Sequence, residues 1–340
     1  MNSAFPERRL GKSGVVVGAM GVGTWAIGGP CTAGAGFALP TGTPLGYGQV
    51  DDAKSVRAIE RAVDLGARFF DTADSYGAGH AERVLAQALG KRRDGVVIAT
   101  KFGNTFDEAK KELTGTDVSP TYIRRACQAS LKRLQTDWID LYQLHIGDVP
   151  VEAVGEVADA LDRLCDDGLI RAYGWSTDDP ERAAAFGQRP HAVATQFNLN
   201  VLEDAPAMLE TCDAIDHAAI ARLPLAMGLL SGKYTHDSRL PGDDIRSRPP
   251  AWLQYFDAGG GVAPEWEARL ASVREVLSSG GRSLVQGALA WIWARSPRTI
   301  PIPGARTLAQ VEENLGAIAY GPLGAEQMRE VDALLGRAAA

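Results

Sequence analysis

Four residues of kinds that move protons follow one another along the first half of the chain: Asp71, Tyr76, Lys101 and His145. Asp71 comes directly after Phe69 and Phe70, Lys101 after VVIAT, and His145 after LYQL, while Tyr76 lies in the Gly-containing segment DTADSYGAGH. Singly each is ordinary, since an aspartate caps helices, a tyrosine rims clefts and a lysine is usually solvated. Jointly they are machinery for protonating an oxygen as negative charge develops on it. A phenol with its ordinary pKa of about 10 is a poor acid at neutral pH. A nearby ammonium stabilises phenolate, so Lys101 is expected to lower the Tyr76 pKa while Asp71 holds the ammonium in place. His145 would donate a hydrogen bond to the substrate oxygen or assist proton transfer to Tyr76.

These residues act together only if separate elements bring them to one place. The sequence alternates short apolar runs with helical periodicity. Strands are expected at Ala19 to Gly21, at Phe69 to Asp71, through VVIAT, through WIDLYQLH, and at Leu169 to Trp175. Further strands fall near Ala192 to Gln196, Ala218 to Ala221 and Thr299 to Ile302. Between them, Asp51 or Asp52 caps a helix carrying Val56, Ile59, Ala62 and Val63 on one face. Ser119-Pro120 opens another. Such alternation implies parallel strands joined by crossovers, and a closed (β/α)₈ TIM barrel is favoured because no GxGxxG follows the first strand. Asp71, Lys101 and His145 then end strands two, three and four around one mouth, where barrel chemistry gathers. Residues 1–340 read as one barrel domain preceded by a β-hairpin over 9–17. Two irregular stretches, 25–49 and 234–264, read as loops over the active site.

Composition narrows the function classes. With 42 acidic side chains against 35 Lys and Arg, the formal charge is -7, which argues against a nucleic-acid partner. No run of about 18 apolar residues occurs to span a membrane, and no secretory signal is evident, so the cytoplasm is the expected location. Cys31, Cys127, Cys165 and Cys212 form no ligand series, and no metal is expected.

DTADSYG, the lysine of VVIATKFG and the histidine of DWIDLYQLH resemble the motifs of the aldo-keto reductase superfamily, whose Asp, Tyr, Lys and His tetrad matches Asp71, Tyr76, Lys101 and His145. The likeness runs from GVGTWAIGG to ENLGA. It implies a barrel without a Rossmann domain, a nicotinamide cofactor, and hydride transfer to an aldehyde or ketone or from an alcohol. By the same likeness Gly23, Thr24, Trp25 and Asp71 border the cofactor, and Ser176 and Gln196 hold its carboxamide. Thr177 stands where relatives carry an asparagine. Arg222 stands where many place a tyrosine that stacks on the nicotinamide, a departure shared by one branch. ARLPLAMGLLSGKY resembles the pyrophosphate loop, with Pro224, Leu225, Gly228 and Lys233, and IPIPGARTLAQVEENLGA the adenosine grip, with Gly304, Arg306, Gln310, Glu313 and Asn314. Arg306 is the cation expected to meet a 2′-phosphate, which favours NADP(H), with NAD as the alternative.

A small carbonyl or alcohol is the expected substrate. Trp25 and Trp175, with Trp252, Tyr255 and Phe256 if the second loop folds inward, would supply an aromatic wall. Trp291 and Trp293 read as packing residues. Two other classes compete: a cofactor-loaded regulatory subunit of the kind that attaches to membrane channels, and an isomerase or lyase barrel using Asp, Lys and His. A dinucleotide bound without turnover would favour the first, and a cofactor-independent reaction the second.

Overall fold

The computed structural model describes residues 6–337. Eight strands lie side by side in the order Thr299–Pro301, Ala218–Arg222, Ala192–Asn198, Ile170–Ser176, Ile139–Leu144, Val97–Phe102, Phe69–Asp71 and Val22–Gly23. Every pairing between neighbours is parallel. The two edges meet, with Gly21 N donating to Pro301 O at 3.0 Å and Gly23 N to Pro303 O at 3.1 Å. A side chain at Gly23 would bring its Cβ to 2.7 Å from Ile302 O, so closure at this seam needs glycine. The first strand is expected at Ala19 to Gly21 but forms at Val22–Gly23, where Val22 pairs with Phe70 and Gly23 with Asp71, a register set by a distant strand and invisible in local pattern.

Alternation along the strands sorts side chains into an inner and an outer layer. Phe69, Ala99, Leu141, Ala194, Ile220 and Ile300 fill the barrel, while Phe70, Ile98 and Tyr142 face the helices. The Asp52–Asp64 helix shows how the outer layer is made. Asp51 caps it by accepting from Lys54 N, and Ser55, Ala58, Ile59, Ala62 and Val63 form its buried stripe. The hairpin pairs Glu7–Arg9 with Val16–Gly18, and its Leu10 and Val17 belong to the same buried cluster as the barrel interior. Among the described residues no helix is long and apolar enough to cross a membrane.

Two features were not expected. The polar stretch after Phe102 forms a hairpin, Asn104–Asp107 with Glu112–Thr116, to which Thr32–Ala33 of the first long loop adds a third strand. The two long loops also join each other, Ile245 N donating to Gly46 O at 2.8 Å and Tyr47 pairing with Asp244. Arg246 locks this junction. Its guanidinium forks onto Asp244 at 2.9 and 2.7 Å, donates to Met227 O at 3.1 Å, and lies over the rings of Tyr47 and Tyr234.

Candidate active site

Above the apolar filling, the next inward-facing layer of the barrel is polar: Asp71, Lys101, Gln143 and Gln196, one from each of four strands. Register puts them together, because Asp71 pairs with Ala99, Lys101 with Gln143, and Ser176 with Gln196. Lys101 is wholly buried, and its ammonium donates to Asp71 Oδ1 at 2.5 Å, Thr72 O at 2.9 Å and Tyr76 Oη at 3.1 Å. Asp71 Oδ2 accepts from Gln143 Nε2 at 3.1 Å and Gln196 Nε2 at 2.8 Å. Both carboxylate oxygens thus have donors, which is what a buried charge requires.

Tyr76 reaches the ammonium because its turn is unusually tight. Gly77, Ala78 and Gly79 all have positive φ, and a Cβ on Gly77 would lie 1.7 Å from Gly28 O. Only glycine fits there. The Tyr76 ring stacks on Trp25 at 5.8 Å and meets His145 edge-on at 5.9 Å. His145 Nδ1 faces Ser75 Oγ at 3.5 Å.

The charge states differ in one respect from the sequence expectation. Burial pushes the Tyr76 phenol above its ordinary value, and the Lys101 ammonium recovers only part of that. Lys101 therefore keeps Tyr76 from rising further and does not lower it outright. Burial works against the Lys101 charge, but Asp71 and Tyr76 outweigh it and hold the ammonium above the usual lysine value. Burial, with Lys101 and Arg222 adding to it, drives His145 well below the histidine range, so its imidazole is neutral at physiological pH. The floor of the site thus holds a protonated phenol, a fixed ammonium and a neutral imidazole.

A cleft of about 970 Å³ opens over this floor at the C-terminal ends of the strands. Apart from Lys101, buried beneath, all the catalytic and cofactor-binding candidates border it: Gly23, Thr24, Trp25, Asp71, Tyr76, His145, Ser176, Gln196, Arg222, Pro224, Leu225, Gly228, Lys233, Gly304, Arg306, Gln310, Glu313 and Asn314. Arg222 pairs with Asp178 at its rim. The Thr177 hydroxyl donates to Gly147 O at 2.8 Å. Arg306 donates to the carbonyls of Tyr47 at 3.2 Å and Gln49 at 2.5 Å, while its own N–H donates to Gln310 Oε1. Of the expected aromatic wall, Trp25 and Trp252 border the cleft. Trp175, Tyr255 and Phe256 are buried instead, Trp175 packing on Phe186 and donating to Ile146 O. Trp291 and Trp293 are buried packing residues.

Sequence reasoning missed Gln143 and Arg246. Gln143 carried a signal, being two residues before His145 and so on the same face of its strand, after the apolar Ile139 and Leu141. Arg246 carried none, since its partners come from three separate segments.

A parallel eight-stranded barrel with an Asp-Lys-Tyr relay and a histidine at its C-terminal mouth defines a class, the barrel oxidoreductases that protonate an oxygen while hydride is exchanged at carbon. The aldo/keto reductase family model matches residues 19–335, and the chain belongs to that family. It is similar to aldo-keto reductase YhdN of Bacillus subtilis, at 29% identity over 96% of this chain and 92% of the relative. It is likewise similar to the chloroplastic pyridoxal reductase of Arabidopsis thaliana, at 30% identity over 96% and 85%. Among solved structures, the glycerol dehydrogenase AKR11B4 of Gluconobacter oxydans superposes with a TM-score of 0.77 at 29% identity, covering 98% of this chain and 96% of that one. The protein is an oxidoreductase of this family.

Proposed function

We propose that the protein reduces an aldehyde or ketone to an alcohol, and runs the reverse reaction, with NADP(H) as the hydride carrier and Tyr76 as the proton donor. The observation that carries this is the Lys101 ammonium held between Asp71 Oδ1 and Tyr76 Oη on the floor of the cleft. The nicotinamide, held by these residues in its reduced form, would supply the hydride for the carbonyl carbon. The chain's own residues manage the oxygen. Tyr76, protonated at neutral pH, donates its Oη hydrogen to it, and Lys101 stabilises the phenolate left behind. Asp71 keeps the ammonium in place, and the neutral His145 offers an N–H to the same oxygen.

The rest of the cleft fits a dinucleotide. Leu223, Ala226 and Met227 all have positive φ, at 50°, 47° and 56°, just before Gly228 at 93°. Strain at three non-glycine positions in one short loop is typical of a ligand clamp. Pro224, Leu225, Gly228 and Lys233 would cradle the pyrophosphate, and Ser176 and Gln196 the carboxamide. Gln196 would accept through Oε1, its Nε2 being committed to Asp71 and Gln143. Arg222, paired with Asp178, would take the stacking role, as in the branch of the family that carries arginine there. Gly23, Thr24 and Trp25 would close the first-strand side, and Gly304, Arg306, Gln310, Glu313 and Asn314 would take the adenosine end. We place the protein in the cytoplasm, where its four free thiols belong.

Tyr76→Phe keeps the ring and its stacking on Trp25 but deletes the hydroxyl. NADPH affinity, followed by fluorescence quenching, should stay within a few-fold, while stopped-flow hydride transfer to an aldehyde falls by about 10²-fold or more. A wild-type rate in a folded variant refutes the mechanism. Arg306→Ala separates the two jobs of that residue. Loss of NADPH affinity about tenfold greater than loss of NADH affinity marks a phosphate contact, which salt should also weaken. Equal losses for both cofactors would leave Arg306 with only its hold on Tyr47 and Gln49.

A further inference from the structure

A second cleft, of about 840 Å³, lies between the N-terminal hairpin, the end of the Leu284–Arg295 helix and the last helix, Ala325–Leu334. It shares no residue with the cleft over Tyr76. In a chain of formal charge -7, it is lined by four arginines, Arg8, Arg295, Arg329 and Arg337, against a single acid, Asp332. Two of the four are engaged: Arg295 pairs with Asp204 at 2.9 Å, and Arg337 reaches Asp332 at 3.5 Å. Among the described residues Arg8 and Arg329 have no carboxylate partner.

Arg8 is half-buried, and its Nε has no hydrogen-bond partner among the described residues. Burial pushes its guanidinium below the ordinary arginine value, with no acid opposing. A cation drawn out of water without a counter-charge is destabilising until an anion meets it.

The walls between these cations are apolar. Trp293, Leu323 and Met328 line the same cleft, and the Trp293 ring is fixed by its Nε1 donating to Ala19 O at 2.7 Å. The cleft therefore offers positive charge and apolar surface together, in a hollow of the size that takes small molecules. Of the common anions, phosphate suits it better than carboxylate. A phosphate carries close to two negative charges and three acceptor oxygens, enough for guanidiniums arriving from separate elements, whereas one guanidinium fork satisfies a carboxylate.

We infer that this cleft binds a small phosphorylated metabolite, its phosphate taken by Arg8 and Arg329 with Arg337 beside them, and its apolar body lying on Leu323 and Met328. The site is separate from carbonyl reduction and does not depend on it.

The test uses protein saturated with NADP⁺, so that the phosphate-binding residues of the cleft over Tyr76 are filled. Calorimetry follows phenyl phosphate, inorganic phosphate and benzoate at about pH 8, where phosphate is doubly charged. One phenyl phosphate should bind per chain, about tenfold or more tighter than inorganic phosphate, which has no ring to bury, and tighter than benzoate. Arg8→Gln and Arg329→Gln should each weaken phenyl phosphate about tenfold, and added salt should weaken it in the wild type. Arg329 is exposed and its replacement removes no core packing, so its variant decides the matter should Arg8→Gln fail to fold. Absence of binding, an affinity unchanged in Arg329→Gln, or benzoate as tight as phenyl phosphate overturns the site. So does a loss produced by Arg306→Ala instead, which would put the probe in the cofactor cleft.

Discussion

Gln143 Nε2 donates to Asp71 Oδ2, the oxygen that Lys101 does not reach, and so works on Tyr76 through two intermediaries. A hydrogen bond to a charged, buried acceptor contributes about 1.5–3 kcal/mol. Gln143→Leu should therefore lower kcat about tenfold with both KM values within about twofold, since Gln143 does not border the cleft. Gln143→Glu gives the signature that mere packing would not. It sets a second carboxyl against Asp71, so activity near wild type is expected at low pH, where the new group is protonated and can still donate, with decline as pH rises and like charges oppose each other. A pH-independent loss in both variants would reduce Gln143 to filling. At this scale the sequence was readable where residue type and strand parity coincided, as at Asp71, Lys101 and His145. It was not readable where burial decides: the upward displacement of Tyr76 depends on how much solvent Trp25 and the turn exclude.

Helices with sharp starts were legible because their caps are local, Asp51 before the Asp52–Asp64 helix being one and Ser119 before Pro120 another. The Asn104–Asp107 and Glu112–Thr116 hairpin was not. It carries few apolar residues, has a bulge between Thr105 and Phe106, and gains its third strand from Thr32–Ala33, about seventy residues upstream. The junction of the two long loops is the same kind of object, held by tertiary contacts. Its weak point is Arg246. Arg246→Met keeps much of the stem packing against Tyr47 and Tyr234 but leaves Asp244, 4% exposed, without its cation. Breaking a buried pair from one side costs about 3–5 kcal/mol. Limited proteolysis should then cut within 25–49 or 234–264 well before the barrel, and dinucleotide release should quicken. Adding Asp244→Asn should restore part of the protection by removing the stranded charge. Resistance equal to wild type would mean that the loops close without this lock.

For the molecule as a whole, the eight strands were expected from alternation alone, since a strand covered on both faces must be apolar wherever it lies in the sheet. What alternation does not show is how the end opposite the active site is stopped. There the hairpin inserts Leu10 and Val17 into the barrel, Lys12 N donates to Asp216 O at 3.0 Å, and Lys12 Nζ donates to Gly187 O at 2.8 Å. His217 sits beside this plug, fully buried, with Nδ1 on Thr195 Oγ1 at 3.0 Å and Nε2 without a partner. Burial, with Lys12 and Arg298 adding to it and the Ala192 backbone and Asp216 opposing, lowers its pKa to about 4 from the ordinary 6.5. Between these values the unfolded chain binds a proton that the folded chain refuses, so stability is present above pH 6.5 and is lost as pH falls toward 4. The slope from one such group approaches about 1.4 kcal/mol per pH unit. Asp74, whose burial raises its carboxyl, contributes with the opposite sign, so the test is a difference between proteins. His217→Phe replaces the ring and removes the titration. Urea unfolding between pH 4.5 and 7 should show the wild type losing stability more steeply on acidification than the variant, with His145 and the remaining groups common to both. Parallel curves would mean that acid sensitivity arises elsewhere and that His217 takes up its proton without opening the plug.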